Sequence, residues 1–197
     1  MGDAELRQLR PGSLLINASR GPVVDNSSLL TLLEGGRGPF TVLDVWEGEP
    51  DINFALLDQV ILGTAHIAGY SLDGKILATR LLVEALAAQM ALVPPHKASP
   101  VGETPALVLP DSLSGAGLVR HLLHSRYDIS RDDAMLRGAT LGKIVTSAGE
   151  GFDRLRKEYR ERRELLGCTV RGEFQSQRDL ALVRGLGCVP VPEGRAE

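Results

Sequence analysis

Three residues in the first third of the chain carry side chains suited to shared chemistry. Arg20 ends the run Leu14-Leu15-Ile16-Asn17-Ala18-Ser19-Arg20-Gly21. Glu49 ends Thr41-Val42-Leu43-Asp44-Val45-Trp46-Glu47-Gly48-Glu49-Pro50, and His66 lies in Gly63-Thr64-Ala65-His66-Ile67-Ala68-Gly69-Tyr70, just after Val60-Ile61-Leu62. Each follows an apolar run that reads as a strand. In an open parallel sheet, ligands bind in the crevice outside the strand C-termini. An imidazole can take or return a hydroxyl proton, a neighbouring carboxylate favours its protonated form, and a guanidinium grips a carboxylate through paired hydrogen bonds. Hydride exchange between a secondary alcohol and a nicotinamide asks a protein for these services. Taken singly, each residue also has an ordinary explanation, as a satisfied loop histidine or a solvated surface charge.

The elements that would position this trio follow from the apolar pattern. Residues 4–10 read as the end of a helix stopped by Pro11-Gly12, and Leu14 to Ile16 as a buried strand. Asp25 or Asn26 can cap a helix through Leu29, Leu30, Leu32 and Leu33, which Gly35-Gly36 ends. Phe40 to Val45 is the next strand, Phe54 to Asp58 a short helix, and Val60 to Leu62 a third strand. Strand and helix alternating at this spacing means βαβ units and a parallel sheet. From Ser71 the period becomes helical. Leu72, Ile76, Leu77, Leu81, Leu82, Ala85, Leu86 and Met90 predict one long helix, apolar on more than one side and therefore well buried.

Pro94, Pro95, Pro100 and Pro105 punctuate a polar stretch that reads as a linker, with a domain boundary near residue 100. A smaller α/β pattern follows. Its strands are expected at Ala106 to Leu109, Cys168 to Val170 and Cys188 to Val191. Its helices are expected around Leu118, Leu122 and Leu123, over Phe152 to Leu166, and over Arg178 to Arg184. Tyr127 to Arg137 reads as a polar connection with a short helical turn. The helix from Phe152 has a narrow apolar stripe of Phe152, Leu155, Tyr159 and Leu166. It also has opposite charges at i, i+4: Asp153/Lys157, Arg154/Glu158, Lys157/Glu161 and Arg160/Glu164.

Composition narrows the function classes. At 197 residues the chain can bury a real core in one or two domains. A net charge of -3 supplies no global field for nucleic acid or an acidic membrane, and 4% aromatic residues argue against stacking platforms for single strands. The Arg-rich run after Phe152 is interleaved with acids, which marks a salt-bridged face and no nucleic-acid partner. The longest apolar stretch, Leu81 to Val93, is interrupted by Glu84 and Gln89 and is too short for a membrane span, which needs about 20 residues. Met1-Gly2-Asp3-Ala4-Glu5 lacks the features of a signal peptide. Cys168 and Cys188 have no metal-like spacing and read as reduced thiols of a cytoplasmic protein. His96, His121 and His124 show no metal-ligand motif, and His121 and His124 are expected on a helix surface.

The wording of the segments adds a resemblance. Leu9-Arg10-Pro11-Gly12-Ser13 through Val24-Asp25, Leu43 to Pro50 and His66-Ile67-Ala68-Gly69-Tyr70 closely resemble the signature of the D-2-hydroxyacid dehydrogenases. Trp46-Glu47-Gly48-Glu49-Pro50 and Ala68 to Lys75 are most similar to a branch of that family acting on a small phosphorylated 2-hydroxy acid. Tyr127 to Asp133 and Gly151 to Glu164 resemble that branch's C-terminal dimerisation domain. The resemblance implies NAD as cofactor and a homodimer formed through the C-terminal domain. It makes Arg20, Glu49 and His66 catalytic, with Arg20 also binding substrate and polarising its carbonyl. Asp44 and Gly69 would lie against NAD, and Tyr70 would hold substrate. Asp44 as a loop cap, and Tyr70 as the first packed residue of the long helix, stay open.

One feature departs from the family. No Gly-x-Gly-x-x-Gly follows a strand, and the nearest approach, Gly115-Ala116-Gly117-Leu118-Val119-Arg120, ends in arginine. That loop normally brings several backbone N–H groups to the pyrophosphate, each charge-assisted bond worth about 1.5–3 kcal/mol. The expected architecture is therefore α/β. Residues 1–92 are the C-terminal part of a Rossmann-type parallel-sheet domain with its exit helix, and 93–105 a linker. Residues 106–192 are a small α/β dimerisation domain, and 193–197 a tail. The chain reads as the C-terminal part of a longer enzyme. The rival readings are a phosphoglycerate- or hydroxypyruvate-type dehydrogenase and a catalytically silent dimerisation fragment.

Overall fold

The computed structural model describes residues 1–93, 104–141 and 145–192, so His96, most of the 93–105 linker and the 193–197 tail lie outside the described residues. The first sheet is parallel, in the order β1 (Leu14–Asn17), β2 (Phe40–Leu43), β3 (Leu62–Gly63). Leu14 pairs with Phe40 and Val42 with Leu62. The crossovers are α2 (Asn26–Glu34) and α3 (Phe54–Gln59), and a short α1 (Asp3–Leu6) precedes β1. Asp25 caps α2 through the Ser28 amide at 2.9 Å, and Asn53 caps α3 through the Leu56 amide at 3.2 Å. Gly36, with φ 67°, supplies the left-handed residue just past α2.

Because the strand order runs one way, right-handed crossovers place both helices on one face. Leu15 and Leu43 point into the core there with Leu29, Leu56, Leu57 and Trp46. The opposite face carries Leu14, Ile16 and Phe40, which are 61%, 59% and 58% exposed. Both faces of a parallel sheet are normally covered, so this is an unusually bare apolar surface for the chain alone.

The second sheet is also parallel, in the order β4 (Leu107–Val108), β5 (Thr169–Gly172), β6 (Val189–Pro192). Its core gathers Leu118 and Leu122 of α5 (Gly115–Arg126), Val183 of α8 (Gln177–Gly185), and Leu109, Leu165, Cys168, Val170 and Cys188. Both cysteines are free and buried. His121 and His124 fall on α5, with His124 exposed.

Three expectations change. The segment read as a polar connection is helical: α6 spans Ile129–Thr140. Its Asp133 carboxylate accepts the Gly63 amide at 2.7 Å, so a helix end-stops β3 where another strand would pair. Arg137 joins Asp133 and donates to the Leu57 and Val60 carbonyls at 2.8 and 3.0 Å, holding the C-terminal end of α3. Second, the charged helix is α7, Val145–Lys157, and stops well short of Leu166. Of the four expected ion pairs, Lys157–Asp153 forms at 3.4 Å, whereas Arg160 lies past the helix and pairs with Asp132. Phe152 and Leu155 pack into the first core with Leu136, whereas Leu166 is exposed. Third, the long helix α4, Leu72–Gln89, is largely exposed. Leu81, Leu82 and Leu86 are 56%, 73% and 57% exposed, and only Ala87 of the helix is buried.

The compact units are consequently discontinuous. Met1–Gly69 with Ile129–Arg160 forms one, and Tyr70–Asp128 with Glu161–Glu197 the other. A single boundary near residue 100 was expected. In the second unit, Arg163 ties Asp73 of α4 through bonds of 3.0 Å, and the Glu164 amide adds one at 2.6 Å. Two of these come from Arg163, and together with the amide they outweigh burial and hold the Asp73 carboxyl below its ordinary range.

Candidate active site

The three parallel strands end at Asn17, Leu43 and Gly63, and the candidate residues leave from those ends. After β3 the chain turns through Thr64 to Gly69. His66 adopts φ 56°, a left-handed conformation that a non-glycine residue holds only when its surroundings demand it. The demand comes from Asp44, directly after β2. Its carbonyl accepts the His66 amide at 2.7 Å. Its carboxylate accepts the Thr64 hydroxyl at 2.6 Å, the Ile67 amide at 2.8 Å and the Ala68 amide at 3.1 Å. Asp44 is thus spent on shaping the histidine loop. Sequence reasoning had left that reading open beside the cofactor one.

His66 Nδ1 lies 2.7 Å from Glu49 Oε2. Glu49 is itself fixed, because its Oε1 accepts the Trp46 amide at 2.8 Å. Trp46 is buried, and its indole N–H donates to the Thr64 carbonyl at 2.9 Å, so one residue braces both the Glu49 turn and the His66 turn. The bracing role of Trp46 depends on a ring orientation that residue spacing does not reveal. Glu47 accepts the Asn26 amide at 2.8 Å and its own amide donates to Asn26 Oδ1 at 3.0 Å, locking this turn to the start of α2. At Gly21, any Cβ would collide with the Trp46 carbonyl, so the Arg20 turn packs backbone against backbone on the Glu49 turn.

Arg20 is exposed and starts a turn of 3-10 helix, Gly21–Val23. Asn17 organises that turn, accepting the Ser19 amide and hydroxyl while donating to the Arg20 carbonyl. The guanidinium donates to the Ser19 carbonyl at 2.6 Å. The structure therefore joins Glu49 and His66 directly and sets Arg20 at the same end of the sheet. Gly69 is exposed with open space where a side chain would be. Tyr70 falls in the other unit, where Lys75 Nζ lies 4.3 Å from its ring centroid.

For a dinucleotide, the residues present leave open space at Gly69, while the Asp44 carboxylate is already engaged by the histidine loop. They do not supply a pyrophosphate cradle. The Gly115 amide, at the glycine-rich stretch of α5, donates to the Asp179 carboxylate at 2.8 Å. That bond, with the Ser176 hydroxyl, holds the Asp179 carboxyl below its ordinary range. Among the described residues, no group of His, Cys, Asp and Glu could hold a metal ion, and no helix is long and apolar enough to cross a membrane.

Residues 1–68 match the NAD-binding domain of the D-isomer specific 2-hydroxyacid dehydrogenases. Residues 100–187 match a domain of unknown function, DUF3410. An erythronate-4-phosphate dehydrogenase of Salmonella arizonae is 49% identical over 190 residues, 95% of this chain and 48% of that protein. That of Enterobacter sp. (strain 638) is 48% identical over 165 residues, 81% of this chain and 41% of that protein. That of Salmonella newport is 44% identical over 190 residues. The chain spans about half the length of the curated relatives it matches.

Proposed function

We propose that this chain carries the proton-transfer site of an NAD-dependent oxidation of 4-phospho-D-erythronate to 2-oxo-3-hydroxy-4-phosphobutanoate. The observation that carries the reading is the 2.7 Å contact between His66 and a Glu49 carboxylate whose other oxygen is already fixed. With Nδ1 engaged by Glu49, Nε2 is the nitrogen that meets the substrate. It accepts the proton of the C2 hydroxyl as the C2–H bond gives up hydride and the carbonyl forms, and Glu49 steadies the resulting imidazolium. Arg20 pairs with the substrate carboxylate and draws charge onto the developing carbonyl oxygen. Asp44 and Gly69 would lie against NAD, which would supply the hydride acceptor. Tyr70 keeps its expected role as a substrate-holding residue in this proposal.

The choice of substrate rests on the names of the relatives. The homodimer through residues 106–192 is supported by Val108, Val189 and Val191, exposed beside Arg171 on one face of the second sheet, and light scattering in solution tests it. Because the sequence lacks a glycine-rich cradle, NAD binds this chain weakly, and turnover is measured at millimolar NAD. The test of the function is a comparison of kcat/KM for 4-phospho-D-erythronate, 3-phosphoglycerate and glycerate, by NADH formation. The reading expects a preference for the first of at least about tenfold, or about 1.4 kcal/mol. Equal or faster oxidation of 3-phosphoglycerate overturns it.

A further inference from the structure

His66 has a second surface behind it. Ala65 and Ile67, its two neighbours, line a cavity of about 270 Å³ together with residues of α6 and α7. The whole cavity lies within the first unit. Met135 and Leu155 complete its apolar lining. Arg131, Arg154 and Arg160 also line it, with Asp132 and Glu158. Asp132 is committed, accepting the Tyr159 hydroxyl at 2.7 Å and Arg160 Nη1 at 2.5 Å. Arg131 and Arg154 are solvent-exposed. The cavity therefore has net positive charge and an apolar floor.

We propose that this cavity is a binding site for a small organic anion, a phosphate or carboxylate on a short apolar body, and that its occupant acts on the histidine loop from behind. Guanidiniums with an apolar wall match such a ligand in charge and in surface. The route to His66 is short. Ala65 and Ile67 line the cavity, and the Ile67 amide is one of the bonds by which Asp44 holds His66 at φ 56°. A ligand that favours one setting of this loop shifts its population in proportion to its preference. The effect on turnover rests on the function proposed above; binding does not.

The test is titration of the 197-residue chain with inorganic phosphate and with phenyl phosphate at fixed ionic strength. The backbone NMR signals of residues 65–68 are followed. Both probes are expected to saturate and to shift those signals, phenyl phosphate binding at least about tenfold more tightly because its ring buries apolar surface. The double variant Arg131→Ala/Arg154→Ala, altered only at exposed positions, should weaken phenyl phosphate at least about tenfold, and each single variant about threefold. Arg20→Ala should leave it within about twofold. Unchanged affinity in the double variant, lost affinity in Arg20→Ala, or no saturable binding in the wild type overturns the proposal. None of these readings depends on turnover, so a failed dehydrogenase assay leaves them intact.

Discussion

Replacing Asp44 by asparagine keeps the side chain's shape and removes its charge, which isolates what the carboxylate does for the loop carrying His66. Three donors converge on it: the Thr64 hydroxyl at 2.6 Å, the Ile67 amide at 2.8 Å and the Ala68 amide at 3.1 Å to each oxygen. A hydrogen bond to a charged acceptor contributes about 1.5–3 kcal/mol and one to a neutral acceptor about 0.5–1.5, so neutralisation costs about 1 kcal/mol per donor and about 3 kcal/mol in all. The amide nitrogen also places a donor against the Ala68 N–H, whichever way the group is turned. Against a total stability of about 5–15 kcal/mol this is a large fraction. Urea unfolding measures it as a fall in the midpoint at unchanged m-value, and faster amide exchange confined to residues 64–68 places the damage. A loss below about 0.5 kcal/mol, the level of an ordinary surface substitution, would refute the reasoning.

Arg137→Ala frees the Leu57 and Val60 carbonyls and the Asp133 carboxylate, and should cost about 2 kcal/mol in urea unfolding, with lysine recovering part of it. An unaffected midpoint would mean that α6 does not brace the first sheet. Leu43→Ala, at a fully buried core position, should cost about 2–5 kcal/mol, whereas Ile16→Ala on the bare sheet face should cost much less and reduce self-association seen by light scattering. Similar costs for the two would contradict the one-sided core. Asp73 and Asp179 have folded carboxyl groups below their ordinary range, Asp73 despite burial and through Arg163, Asp179 through the Gly115 amide. Depressed acids give stability that is present above the unfolded value of about 3.9 and lost as pH falls through the folded one. The Asp73→Asn/Asp179→Asn variant should therefore show a shallower loss of stability below about pH 4, and an unchanged slope would count against both ties.

The first sheet was legible because its signals are local. β1, β2 and β3 follow apolar runs of β-branched and large residues, and Asp25 and Gly36 are strong helix punctuation. The Glu49–His66 pair was legible because strand ends in a parallel sheet converge on one edge. The rest depends on contacts between distant segments. Nothing in Asp133 or Arg137 announces that they meet Gly63 and Val60 some seventy residues earlier in the chain. The i, i+4 charges past Lys157 look helical locally, yet Arg160 pairs with Asp132 instead. The apolar repeat of α4 says that the helix seeks a neighbour without saying whether this chain supplies one.

The central claim is that His66, set by Glu49, moves the proton in a 2-hydroxyacid oxidation. Its most direct test is NADH formation from 4-phospho-D-erythronate at millimolar NAD by the wild-type chain and by His66→Gln, with unfolding midpoints recorded for both. The account predicts turnover by the wild type and a fall of about 10²–10⁴-fold in His66→Gln at matched stability, the range that general acid–base catalysis contributes. Turnover that survives the substitution, or a wild-type chain that forms no NADH, would contradict it.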